Sequence, residues 1–324
     1  MADHFNALGE FKRAALIYLE ALKDLPDIPG LRERIHARLT EIYLRNEDHK
    51  AAAEQLKAIM RADPTNPQVY YYLGSIAMED KKPVEAAEYF SKTVLLKPEF
   101  EQAYYDLANA QISAGKAGDA LATLEQARKK FSASFVLEYL DGIAFNQQKA
   151  YKQARQHYTA AEVLAQAGES KRLNQFFYFQ AGAANERDGE FEQAEKYFNK
   201  SLELDPNFAE ALNYLGYMWV ERGINLEKAR AMIEKAVKAE PENDAFLDSL
   251  GWVLFKLNQP QEALAALLKA VEHSKEPDPT MYDHLGDVYQ ALGQSDKALE
   301  AWRKSFSLEA NEVVRKKFGG SDKP

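Results

Sequence analysis

Cysteine is absent from the 324-residue chain, which removes disulfides, thiolate metal sites and cysteine nucleophiles together. That absence does not assign a compartment, since reducing and oxidising spaces both hold cysteine-free proteins. Glycine (16) and proline (12) are modest in number, so most of the chain is expected to fold. Basic clusters are missing as well: the formal net charge is −9, and basic residues gather only in short pieces such as RKK at 128–130 and at 315–317. A surface that neutralises phosphates needs clustered Lys and Arg, so no nucleic-acid partner is expected. No apolar run approaches a membrane span, and the opening MADHFNALGEFKRAALIYLE carries charges every few residues and no apolar signal core.

Catalytic signatures are missing too. The six histidines are His4, His36, His49, His157, His273 and His284, and none pairs with another at the spacing of helix-borne metal ligands. HExxH, GxSxG and the phosphate-cradling GxxxxGK[ST] do not occur. The expectation is a protein that is not an enzyme and uses no cofactor or metal.

What is present is a repeat. LNYLGYMWVERGINLEKA, residues 212–229, sets a Leu-Gly pair one helical turn from a Trp and then a glycine turn. Aligning on the small residue after the Leu gives Thr40, Gly74, Ala108, Gly142, Gly182, Gly216, Gly251 and Gly286. Twelve residues on lies an alanine: Ala52, Ala86, Ala120, Ala154, Ala194, Ala263 and Ala298, with Ala229 displaced by one extra turn residue. Four further on comes a large side chain: Leu56, Phe90, Leu124, Tyr158, Phe198, Ile233, Leu267 and Trp302. Pro64, Pro98, Pro206 and Pro241 stand where second helices should stop, because proline cannot continue a helix.

The period is 34 residues, and the pattern resembles the tetratricopeptide repeat: a large residue at position 4, Leu-Gly at 7–8, Tyr at 11, Ala at 20, Phe at 24, Ala at 27 and Pro at 32. Repeats fall at 33–66, 67–100, 101–134, 135–168, 175–208, 209–243, 244–277 and 279–312. Residues 1–32 read as the end of an earlier repeat and a connector, with Gly9 in its turn, Ala14, Tyr18 and Ala21 inside and Pro26 closing. Asp141 departs from the pattern by standing where Leu is expected, and four repeats lack the closing proline. Positions 4, 7, 8 and 11 share one stripe of the first helix and 20, 24 and 27 the matching stripe of the second. Small residues at 8 and 20 let the backbones approach, and large ones fill the space around them. The resemblance implies an all-α, right-handed solenoid of helix–turn–helix units, each stacked on its neighbours because no pair buries its apolar face alone.

Two joints break the period. Four extra residues surround PDIPGLRE at 26–33, and six surround AQAGESKRLN at 165–174. The second insertion reads either as a lengthened helix or loop, or as a hinge at 169–174 separating repeats 33–168 from repeats 175–312. Residues 313–324 read as a short capping helix followed by a flexible tail.

In a solenoid of this kind the first helices line a concave face, on which positions 2, 5, 9 and 12 look outward from the core stripe. Position 5 reads Ala37, Tyr71, Tyr105, Tyr139, Phe179, Asn213, Asp248 and Asp283, an aromatic ladder that turns polar. Position 9 reads Glu41, Ser75, Asn109, Ile143, Ala183, Tyr217, Trp252 and Asp287. The candidate groove residues are therefore Tyr71, Tyr105, Asn109, Tyr139, Phe179, Asn213, Tyr217, Asp248, Trp252, Asp283 and Asp287. First helices about 10 Å apart would give an extended peptide, at about 3.3 Å per residue, one rung every third residue or so. A tetratricopeptide subclass that grips C-terminal carboxylates does so with Lys at position 5 and Asn at position 9. No repeat here carries that set, and Asp106, Asp248 and Asp283 would repel a carboxylate. A basic or neutral segment is the expected partner.

The run from 213 to 306 also resembles the C-terminal part of multi-repeat bacterial proteins, many of them exported or lipid-anchored. The chain opens inside a repeat, at about position 7, which implies further sequence before Met1. These readings favour a scaffold in an envelope complex for assembly, secretion or polysaccharide export, placed in the periplasm or at the envelope rather than in the cytoplasm. Two other classes stay open: the regulatory or targeting part of a larger enzyme, and a structural solenoid that self-associates.

Overall fold

The computed structural model describes residues 1–25, 28 and 30–319. Pro26 and the end of the expected tail lie outside the described residues. Among those described, every regular element is helical. The chain divides into two compact units, Met1–Leu164 and Ala165–Pro324. The first holds α1 (Ala2–Ala7), α2 (Phe11–Ala21), α3 (Leu31–Arg45), α4 (His49–Ala62), α5 (Pro67–Glu79), α6 (Pro83–Leu96), α7 (Glu101–Ser113), α8 (Ala117–Lys130), α9 (Phe135–Gln147) and most of α10 (Tyr151–Gly168). After the end of α10 and a 3-10 turn, Ser170–Arg172, the second unit holds α11 (Gln175–Arg187), α12 (Phe191–Leu204), α13 (Ala209–Glu221) and α14 (Leu226–Ala239). It continues with α15 (Asp244–Lys256), α16 (Pro260–His273), α17 (Pro279–Ala291), α18 (Ser295–Leu308) and α19 (Glu312–Lys317).

Prolines and caps place the helix ends. Helices α4, α6, α12 and α14 stop at Ala62, Leu96, Leu204 and Ala239, two residues before Pro64, Pro98, Pro206 and Pro241. The residue preceding a proline is held out of the helical region, so the chain must turn there. Other prolines open helices instead: Pro67, Pro83, Pro260 and Pro279 take the first helical position, where a missing N–H costs nothing. Asp48, Asn66, Ser134, Asn174, Asn243, Asp278 and Asn311 accept backbone N–H groups as side-chain N-caps. The insertion at 165–174 is accounted for locally, as α10 runs 18 residues where the second helices around it run 14, and the 3-10 turn follows.

Within a pair the turn is tight and left-handed at one residue. That residue is Glu47, Lys81, Gly115, Lys149, Gly189, Gly223, Asn258 or Gly293, with φ between 57° and 81°. A bond from the residue that follows back into the first helix closes each turn, as from Lys82 N to Ala77 O at 2.8 Å. The extra residue in RGINLEKA adds a second left-handed position, Asn225 at 51°, and postpones α14 by one residue.

The two helices of each pair meet through the small positions. All eight register alanines, from Ala52 to Ala298, are fully buried. A Cβ added to Gly74, Gly142 or Gly182 would fall 2.7–2.8 Å from the ring of Phe90, Tyr158 or Phe198. On Gly286 it would fall 2.3 Å from Trp302. These glycines are present because the ring on the second helix occupies the space a side chain would need. From α1 to α9 and from α11 to α19 each helix also packs on its successor, and in the second unit α11, α13, α15 and α17 contact one another in series. The second unit's core runs continuously through these contacts, from Phe198 and Trp219 to Val253. Val314 of α19 packs against Ala298 and Trp302, covering the apolar end of the last pair.

Gly286→Ala forces Trp302 off its seat and is expected to cost about 1–3 kcal/mol, the range for overpacking a core. Urea or thermal unfolding checks this, with an unchanged midpoint counting against the close-packed pair.

Candidate functional site

Position 5 is the first place where expectation and structure differ. Its side chains pack on neighbouring groups rather than standing free, and those of Tyr71 and Phe179 reach the next repeat. Tyr71 packs on Phe90 and Phe100 with ring centroids 5.7 and 4.8 Å away, and its hydroxyl donates to Asp106 Oδ2 at 2.7 Å. Tyr105 is only 5% exposed, and its hydroxyl donates to Glu101 at 2.6 Å and meets Ser134 Oγ at 3.0 Å. Burial and the Glu101 carboxylate push its phenol up to about 12. Tyr139 stacks on Phe135, with centroids 5.4 Å apart, and tilts onto Tyr158. Phe179 lies edge-on to Phe208 and Tyr214. The rings of the aromatic ladder are thus engaged in packing, with Tyr105 buried and Tyr71, Tyr139 and Phe179 half-buried. Asn109 is exposed on α7.

The departure at Asp141 has a local explanation. Asp141 and Glu138 on α9 are both buried, and the guanidinium of Arg128 on α8 forms ion pairs with both, that to Glu138 at 2.5 Å. His157 Nδ1 lies 2.7 Å from Glu138 and 3.8 Å from Asp141. Burial raises the Asp141 carboxyl; for Glu138 burial acts the same way, but hydrogen bonds from His157 and Arg128 outweigh it and hold the group below its ordinary value. Glu138, Asp141 and His157 bring potential ligand atoms within 4.8 Å of one another. The fixed Arg128 cation already supplies the positive charge that a metal ion would bring, which makes this an internal ion cluster.

In the second unit the register positions converge on a cavity of about 330 Å³. Glu186 at position 12 of its repeat, Asn213 and Tyr217 at 5 and 9 of the next, and Ala245 and Asp248 at 2 and 5 of the one after all line it, with Asp278 and Thr280 at the start of α17. Three of the expected groove residues, Asn213, Tyr217 and Asp248, meet here. Asn213 and Asp248 are buried; the Asp248 carboxylate meets His284 Nδ1 at 3.0 and 3.1 Å. Burial raises the Tyr217 phenol, and the field of Glu221, Asp248, Glu186 and Asp278 adds to it, so the hydroxyl stays protonated. Burial also raises the Glu186 carboxyl, opposed by Arg187.

Beside this cavity lies a second depression of about 240 Å³, shared by Tyr217, Trp252, Asp283, Asp287 and Lys317. Trp252 is buried and stacked on His284 with centroids 3.9 Å apart; its indole N–H donates to Glu221 at 2.5 Å, and the Lys256 ammonium lies 4.3 Å above its ring. Lys317 Nζ donates to Asp283 at 2.8 and 2.9 Å and to Asp287 at 2.8 Å. Burial alone would lower the Lys317 ammonium's pKa, yet the bonds to the two aspartates leave it above the ordinary lysine value. In the first unit a cavity of about 310 Å³ lies among Arg34, Ala37, Thr40, Val69 and Tyr72.

Sequence reasoning missed Glu186, His284 and Lys317. Position 12 belonged to the outward stripe, so Glu186 carried a signal; His284 and Lys317 carried none, since only folding sets them against Asp248 and Asp283.

Residues 40–101, 77–133, 175–208 and 219–315 match the tetratricopeptide repeat family. No curated protein sequence matches the chain. Among solved structures, a tetratricopeptide repeat protein from Parabacteroides merdae is 18% identical, over 89% of this chain and 98% of its own, with a TM-score of 0.53. The APC/C hetero-tetramer Cut9–Hcn1 is 14% identical, over 98% of this chain and 67% of its own, with a TM-score of 0.59. MamA from Desulfovibrio magneticus is 20% identical, over 56% of this chain and 99% of its own, with a TM-score of 0.50. At these identities the likeness is one of fold. Among the described residues no helix is long and apolar enough to cross a membrane.

Replacing Arg128 by Met leaves two buried carboxylates without their main counter-charge and is expected to cost about 3 kcal/mol. Converting Arg128, Glu138 and Asp141 together to apolar residues is expected to restore most of it. Urea unfolding of both variants decides, and a single variant as stable as the parent would remove the cluster's structural role.

Proposed function

Because the chain belongs to the tetratricopeptide repeat family, we propose that it is a non-catalytic scaffold holding an extended segment of a partner protein against the 2-5-9-12 face of its first helices. Stacked repeats offer long surfaces of this kind, and their binding residues vary without disturbing the register. One observation carries the reading: the cavity lined by Glu186, Asn213, Tyr217 and Asp248, to which three successive repeats contribute from the same stripe. A pocket with a few convergent polar groups is the usual form of a recognition site. Tyr217, half-buried with its ring at the cavity and its hydroxyl protonated, offers contact area at little cost in side-chain entropy. The rings at 71, 105 and 139, of which Tyr105 is buried and the other two half-buried, are engaged in packing within the first unit and are not part of the proposed grip.

A photoreactive phenylalanine analogue in place of Tyr217 is expected to cross-link one partner in the native host, whereas the same analogue at Lys269, on the outer side of α16, is not. The captured segment, made as a synthetic peptide, is expected to bind the pure chain and to lose at least tenfold in affinity with Asn213→Ala. Equal cross-linking from both positions would reject the face.

The resemblance of 213–306 to multi-repeat bacterial proteins, many of them exported or lipid-anchored, supports an envelope complex as the setting of this scaffold. Fractionating host cells with an antibody to the chain tests that placement: recovery with the envelope or periplasm is expected, and recovery wholly in the cytosol would reject it.

A further inference from the structure

The cavity has a property that a general peptide groove does not require. Asn213 is 6% exposed and lines the cavity, and its side-chain carbonyl oxygen is buried with no hydrogen-bond partner among the described residues. A buried acceptor left unmade costs about 1–3 kcal/mol, a loss that a donor entering the cavity would remove once the Asn213 amide turns over to present its oxygen. The neighbouring wall is acidic. Asp248 is answered by His284, and Asp278 is occupied as the cap of α17, accepting from the backbone N–H of Thr280 and Met281. Glu186, half-buried, forms no hydrogen bond or ion pair of its own among the described residues. The one cation of the lining, Arg187, donates to the hydroxyl of Tyr214 at 3.1 Å.

The chain itself displays what such positions hold. In the last repeat, positions 5 and 9 are Asp283 and Asp287, and between them sits an ammonium, Lys317 of α19, bonded to both. Lys317 reaches these groups from beyond the paired helices, as a bound segment would. Asn213 and Tyr217, and Asp248 and Trp252, hold the same two register positions in the repeats before.

We propose that the cavity receives a lysine or arginine side chain of the partner segment, its N–H groups reaching the Glu186 carboxylate and, with the amide turned over, the Asn213 oxygen. This rests on the scaffold reading and specifies its partner's chemistry. A cation suits both the orphaned acceptor and the acidic wall; an acidic or wholly apolar side chain leaves the acceptor unmade and adds repulsion or nothing.

Random heptapeptides displayed on phage, selected on the full chain and in parallel on Glu186→Lys and Asn213→Ala, provide the test. On the parent chain, Lys or Arg is expected at one peptide position at least tenfold above its frequency in the library. Replacing that residue by norleucine in a synthetic peptide is expected to weaken binding at least tenfold by fluorescence anisotropy. Glu186→Lys is expected to turn the preference towards Asp or Glu. Peptides that depend on Asn213 or Glu186 yet show no basic preference would overturn this inference and leave the scaffold reading standing. Failure to select any peptide that depends on either residue would overturn both. Circular dichroism verifies that each variant keeps its helices, and if Asn213→Ala unfolds, the charge reversal at the half-buried Glu186 still decides.

Discussion

Everything in this structure depends on how closely two helices of a pair can approach, and that distance is set where a residue almost without a side chain faces a large one. Gly74, Gly142, Gly182 and Gly286 lie against Phe90, Tyr158, Phe198 and Trp302 with no room for another carbon. Ala108 facing Leu124, and Gly251 facing Leu267, solve the same problem with other volumes. Close approach brings the register alanines into full burial, and it leaves the outward stripe of each first helix beside that of the next. The proposed binding surface follows from the core geometry, since residues 31 to 35 apart in sequence become neighbours only when the pairs are this thin.

The polar groups obey a second constraint. An acidic chain that stacks its helices tightly must neutralise the carboxylates it encloses. The two short basic runs do this: Arg128 answers Glu138 and Asp141, and Lys317 answers Asp283 and Asp287. Lys130, from the first run, also lies 5.7 Å from the Tyr104 ring. Sequence alone offers these runs as loose surface charge. Against that background Asn213 stands out, as a buried polar group lining a cavity whose oxygen the fold leaves without a donor.

The repeat register, the helix boundaries at proline and the close glycine contacts were all legible in the sequence, because each rests on local spacing and backbone chemistry. The extra residue near Asn225 was legible for the same reason, and the structure turns it into a second left-handed position. Legibility failed wherever a side chain's surroundings come from a different repeat. Tyr71 and Tyr105 share the outward stripe with Tyr217, and periodicity cannot say that Tyr71 is bonded to the next repeat and Tyr105 to the capping residue of α9 while Tyr217 borders a cavity. Asp141 looked like a defect in the pattern, and its reason lies thirteen residues back, on the preceding helix. His284 looked isolated until the fold set it between Trp252 and Asp248.

The pairing of Lys317 with Asp283 and Asp287 bears on how such an array can grow. Repeat arrays lengthen by duplicating a unit, and the new copy normally inherits compatible surfaces on both sides. A duplicated 279–312 unit would bring a second aspartate pair, while α19 carries a single lysine at that place and a single valine to cover the exposed apolar end. The added unit would stack, but its inner pair of carboxylates would stand open in the groove. Each round of duplication would therefore lengthen the surface and deepen its negative charge together.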